Sequence, residues 1–133
     1  MDKKLDAQVV MKQFRQAAEA ALQSTIVEAH ARIVDRTPVD TGRARANWHV
    51  VANDPDPPVT TETDPDGSAA KARAAADARE IKLGDVAYIS NGVPYIELLE
   101  HGSSQQAPNG MLALARQETP GIFQREFRKV AKS

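Results

Sequence analysis

Apolar or small side chains recur at Val10, Phe14, Ala18, Leu22, Ile26, Ala29 and Ile33, in steps that place them on one face of an α-helix. The phase runs unbroken from about Gln8 to Arg36. It stops at Pro38, because a proline disfavours helical geometry at the residue before it, here Thr37. A helix over 8–36 is about 42 Å long. A chain of 133 residues makes one compact domain of about 14 Å radius of gyration, hence roughly 36 Å across. The spacing therefore predicts a helix that overhangs its own domain, and the remaining elements have to be arranged along it.

Those elements are short. After a turn at Val39-Asp40-Thr41-Gly42, the run from Ala46 through Trp48 to Val51 carries β-branched and aromatic residues in loose alternation and is expected to be a strand. Between Asn53 and Ser68 stand Asp54, Asp56, Glu62, Asp64 and Asp66 with four prolines and no basic residue, the composition of a solvated loop that resists its own compaction. Ser68 can cap a helix through about Arg79 made mostly of alanine, high in propensity and weak in apolar anchor, so this helix is expected to be mobile or to order against a neighbouring subunit. Residues 53–80 read as an insertion of loop plus helix, not as a second domain. Val86 to Ser90 reads as a second strand, Pro94 opens a short helix that Gly102 ends, and Leu112 to Val130 keep one helical phase interrupted at Pro120-Gly121. The expected fold class is α+β: a long N-terminal helix and a C-terminal helix, kinked or split at Pro120, packed on a small β-sheet.

Composition excludes more than it assigns. Seventeen basic and eighteen acidic residues leave a net charge of −1, which gives no general attraction to nucleic acid or to an anionic membrane. There is no cysteine, so disulfide and thiol chemistry are out, and the chain suits a reducing compartment. No stretch is long and apolar enough to span a bilayer, and the N-terminus runs into an amphipathic segment instead of reading as a secretory signal.

Candidate chemistry is sparse. Asp40-Thr41-Gly42 is the tripeptide of aspartic proteases, but here it follows a helix end and precedes Arg43 and Arg45 instead of closing an apolar strand, so it reads as a turn in which the glycine supplies unusual backbone geometry. His30, His49 and His101 lie too far apart for a recognisable metal motif. Asp64-Pro65-Asp66-Gly67 lacks the later ligands of a calcium loop. Serine elbows, phosphate-binding loops and dinucleotide fingerprints are missing. No cofactor, no metal and no catalytic residue is expected. The basic cluster Arg125, Arg128, Lys129 and Lys132 reads as a solvated helix face. Arg36, Arg43 and Arg45, beside Asp35 and Asp40, suit pairing between identical neighbours.

Two stretches go further. The first, Arg36-Thr37-Pro38-Val39-Asp40-Thr41-Gly42-Arg43-Ala44-Arg45-Ala46-Asn47-Trp48, together with the second, from Tyr88-Ile89-Ser90-Asn91 through Pro94-Tyr95-Ile96-Glu97-Leu98-Leu99-Glu100-His101-Gly102 to Gln106-Ala107-Pro108-Asn109-Gly110-Met111, resembles the tail-completion or neck protein family of long-tailed bacteriophages. The pair Ser103-Ser104 and the turn Pro108-Asn109-Gly110 depart from common versions of the pattern. The resemblance implies a non-enzymatic virion protein, assembled in the host bacterial cytoplasm, that forms a homo-oligomeric ring at the head-tail joint. Six copies would match tail symmetry and are favoured, and twelve would match the connector. Other neck and tail proteins would be its partners, with DNA passing through the lumen without sequence-specific binding and no membrane involved. It points to Pro38, Asp40, Thr41, Gly42, Arg43, Trp48, Tyr95, Glu100, Gly102 and Pro108 as structural or interface residues. Physically, Trp48 and Tyr95 are expected to anchor the strands on the long helix, while Asp40, Arg43 and Glu100 are expected either to pair between subunits or, equally, to solvate or cap local turns. A tail-terminator or head-closure ring protein is the alternative of the same kind. A nucleic-acid-binding accessory protein using the C-terminal basic face is the alternative of another kind, to be recognised by binding that weakens steeply with salt.

Overall fold

The computed structural model describes residues 4–102, 104–107 and 109–132. Helix α1 spans Ala7–Arg36, about 45 Å at the usual rise. The Asp6 carboxylate starts it by accepting from the Gln8 and Val9 N–H groups at 3.0 and 3.3 Å. Thr37 ends it with extended backbone, ψ 126°, as the following Pro38 requires. Residues 4–16 are exposed throughout, whereas the core face begins at Ala17 and Ala18. The first ten helical residues, Ala7 to Gln16, are exposed, and the overhang is confined to the turns before Phe14, whose ring meets Phe127.

A one-turn helix α2, Arg43–Ala46, follows the junction, and strand β1, His49–Ala52, pairs antiparallel with β2, Ala87–Ser90, in register Val50 to Ile89. The first strand thus starts three residues later than the alternation suggested. Gly42 adopts a left-handed backbone, φ 91°, and its carbonyl accepts from the Ala46 N–H at 3.1 Å, so the segment closes a helical turn before it can extend. Trp48 and Asn47 are buried connectors, not ladder residues.

Helix α3, Ser68–Ala78, differs from expectation in a more important way. Ala70, Ala74 and Ala78 are fully buried, and Ala74 and Ala78 pack with Ile26, Val50 and Ile81 of the same chain. Small side chains let the helix backbone approach closely, so weak individual anchors give a docked helix; Lys71 adds an ion pair to Asp35 at 2.5 Å. The acidic loop before it is also tied down. Its acidic side chains mostly face solvent, yet its backbone is held by Asn47, which accepts from the Thr60 N–H at 2.8 Å and donates to the Thr60 carbonyl at 3.1 Å, and by the Asp64 N–H donating to the Gly42 carbonyl at 3.0 Å.

Helix α4 is Ile96–Glu100 and α5 is Leu112–Ala131. The expected break at Pro120-Gly121 does not divide α5. Both residues face solvent, where water can serve the carbonyl that proline leaves without an amide partner. Helix α5 lies along α1, locked by Glu118, whose carboxylate takes the Arg36 guanidinium at 2.5 and 2.7 Å and Arg32 at 2.9 Å. Two buried clusters result, one around Ile33, Val34, Trp48, Met111 and Ala115, the other between α1, α3 and β1, with Ile89 packed against both.

Candidate interaction site at the helix-strand junction

The residues singled out from the sequence mostly converge. Pro38, Asp40, Thr41, Gly42 and Arg43 line a cleft of about 510 Å³ whose wall is completed by Tyr95, Leu99, Ser104 and Gln106. Its shape comes from the fixed path of the junction. Thr37 donates its hydroxyl to the Ile33 carbonyl at 2.7 Å and accepts the Trp48 indole N–H at 2.8 Å, so a single side chain ends α1 and fixes the tryptophan. Trp48 is 1 % exposed; truncating such a residue costs roughly 3–5 kcal/mol. The Gln106 amide brackets Val39, accepting its N–H at 2.9 Å and donating to its carbonyl at 3.3 Å.

The arginines work inside the chain. Arg45 donates to the carbonyls of Thr37 at 2.9 Å, Pro65 at 2.9 Å and Asp35 at 3.1 Å, and Arg43 donates through Nε to the Thr60 carbonyl at 3.0 Å. Arg36 is committed to Glu118. Asp40 differs. It is exposed on the cleft wall, and among the described residues its carboxylate has no partner.

Tyr95 is not a buried anchor: at 36 % exposure it is part of the open cleft, because α4 turns its apolar grip inward through Ile96 and Leu99 instead. Glu100 likewise has an internal task. Its carboxylate accepts the N–H groups of Met111 at 2.9 Å, Leu112 at 2.8 Å and Ala113 at 3.1 Å, capping α5 from the preceding helix where the macrodipole favours an anion. Partial burial works to raise its pKa, but the three backbone donors and the nearby Arg116 together outweigh that and hold it below the usual glutamate range. Gly102, φ 83°, closes α4. Pro108 lies outside the described residues.

Sequence reading missed the buried histidines. His30 is completely buried and donates through Nε2 to the Trp48 carbonyl at 2.9 Å, a carbonyl that also accepts from Arg73 at 3.0 Å. Its Nδ1 and the Nε2 of the buried His49 have no partner among the described residues. Burial lowers the pKa of both rings, and the positive charge of Arg73 lowers them further. His30 was legible as a face residue of α1, one position after Ala29, but its partner, the Trp48 carbonyl, lies 18 residues on, in the connector before β1.

Among the described residues no group of three or more His, Cys, Asp or Glu side chains could hold a metal ion, and Asp40 has no second carboxylate beside it in the cleft. The C-terminal basic cluster is partly neutralised, Arg125 by Glu28 and Lys129 by Glu126. No helix among the described residues is long and apolar enough to cross a membrane. Fold and cleft together define a small α+β protein with an exposed apolar helix end and, at the other end of the same helix, a cleft of mixed character. Residues 1–102 match the sequence family described as "Bacteriophage HK97-gp10, putative tail-component", and the chain belongs to that family of phage tail components. The match takes in both stretches as far as Gly102 and stops before α5. Comparison with curated proteins and with solved structures gives no match.

Proposed function

We propose that this chain is a non-enzymatic structural protein of the phage neck or tail-completion region, forming a homo-oligomeric ring that joins or stabilises the head-tail interface. The observation that carries the reading is the family match over residues 1–102. Two features support the ring. Exposed apolar residues Leu5, Val9, Val10, Met11 and Phe14 sit at one end of α1, and the junction cleft sits at the other. Different surfaces at opposite ends are what a heterologous, cyclic interface requires. Six copies fit a tail-side component and twelve a connector-side one. The ring meets other neck and tail proteins, lets DNA pass through its lumen without reading sequence, and assembles in the host cytoplasm. The partial neutralisation of the basic face by Glu28 and Glu126 weighs against a nucleic-acid-binding accessory role.

The test is made on particles. The protein is expected in purified virions at a copy number that is a multiple of six, and density for it at the head-tail joint. Phage lacking the chain should accumulate unjoined heads and tails. Absence from purified particles would overturn the reading, and tight DNA binding that weakens steeply with salt would replace it with the accessory role. Location at the tail end of unjoined tails would favour a terminator instead.

A further inference from the structure

The apolar face of α1 does not stop where the core stops. Ala17, Ala18 and Ala21 are buried, and the same face continues toward the N-terminus through Phe14, Met11 and Val10, which are 53, 46 and 42 % exposed. Phe14 touches Phe127, with ring centroids 5.4 Å apart, but among the described residues nothing covers the turns before it. On that end Lys12 and Arg15 have no partner among the described residues, nor have Asp40 in the cleft wall and Glu97 on α4 at the far end. The exposed helix end is thus apolar and basic, while the cleft is apolar with Asp40 as its open charge, since Arg43 in the same wall is taken up by the Thr60 carbonyl and Glu97 lies outside the cleft lining. About 30 Å of helix separates Arg15 from Arg36, so a chain cannot fill its own cleft with its own overhang.

We propose that the N-terminal end of α1 seats in the junction cleft of the next copy of this chain. Val10, Met11 and Phe14 lie against Pro38, Tyr95 and Leu99 of the neighbour, and Lys12 or Arg15 pairs with its Asp40. The occupant is a second copy because the two surfaces complement each other in both polarity and charge, and because their placement at opposite ends propagates from subunit to subunit. The inference rests on the ring reading and adds the contact that closes the ring.

The chain has no cysteine, so a designed pair is unambiguous. Purified Met11→Cys protein mixed with Tyr95→Cys protein should give a disulfide-linked dimer of one of each. The double variant should give a ladder ending at the ring size, while Met11→Cys mixed with Ala72→Cys, on the exposed side of α3, should give no specific product. Replacing Val10 and Met11 together by glutamate should weaken association at least tenfold and leave circular dichroism and melting unchanged, since both side chains are already exposed. Rings seen by light scattering or on particles without the Met11–Tyr95 link would overturn this contact and leave the ring reading intact. So would a ladder that stops at dimers, which means reciprocal exchange, or a Met11→Cys photo-crosslinker that captures only a different particle protein. A chain that stays monomeric at every concentration and is missing from purified particles would overturn both.

Discussion

Glu100 meets three backbone N–H groups at the start of α5, donors that a helix cannot satisfy within itself. Replacing it by glutamine keeps the shape and removes the charge, and is expected to cost about 1 kcal/mol; alanine leaves the donors bare at about 1–2 kcal/mol, read as a lower melting temperature. The pH signature separates charge from packing. Because the folded-state pKa is lowered, the carboxylate stabilises the fold fully above the unfolded value and stops doing so as pH falls through the folded one. The glutamine variant should therefore lose less stability than the parent on acidification below about pH 4.5. Gly110 explains why the cap fits, since a Cβ there would lie 2.7 Å from the Glu100 Oε2. Gly42 is constrained twice: its φ is +91°, and a Cβ would come within 2.6 Å of the Pro65 nitrogen. Gly42→Val should cost more than about 2 kcal/mol and lift the 53–67 loop. Normal melting and unchanged amide exchange in that loop would contradict this account of the turn.

Elements behave differently from their local propensities where packing intervenes. Helix α3 reads from sequence as a helix without a home, because alanine carries little hydrophobic drive. In the fold its smallness is the point, since Ala74 and Ala78 let α3 lie close on Ile26 and Val50. Ala74→Leu should be overpacked and lower stability by about 1–3 kcal/mol, whereas Ala72→Leu on the exposed side should be near neutral, a contrast measurable by urea unfolding. Helix α5 tolerates Pro120 because its position faces solvent. Pro120→Ala restores an amide donor and should stabilise by up to about 3 kcal/mol. Unchanged stability would mean that Arg116's carbonyl already has a solvent partner as good as the helical one.

At the scale of the whole molecule, Thr37, His30 and Arg73 converge on Trp48 through its indole N–H and its carbonyl, with the buried His49 next to it in the chain. His30 and His49 both have pKa values lowered from 6.5, mainly by burial. A base whose folded-state pKa is depressed is protonated first in the unfolded chain, so its stability is fully present above the unfolded pKa and is lost as pH falls below about 6.5. Denaturant midpoints should decline between about pH 7 and 5, and His30→Gln should flatten that decline even where it lowers stability at pH 7. An identical pH slope in the variant would exclude His30 as its source. Glu118, half-buried and held below the ordinary range by Arg36, stays ionised over this interval and adds little to its pH dependence.

By itself the sequence determined the elements that depend on near neighbours. The period of α1, its stop at Pro38, the overhang and the glycine turn at Gly42 follow from side chains a few residues apart. So does the grouping of Pro38 to Arg43, because a turn holds consecutive residues together whatever surrounds it. Tertiary structure decided what each polar group faces, because charge and hydrogen-bond partners are chosen in space. Glu100 and Arg43 read equally as partners for a neighbouring subunit or as caps of local turns, and the fold uses both at home, on α5 amides and a loop carbonyl. Tyr95 looked buried and stands in the cleft. Asp40 alone among the three candidate pairing charges kept an open carboxylate, since the cleft wall turns it to solvent and no donor of its own chain reaches it among the described residues.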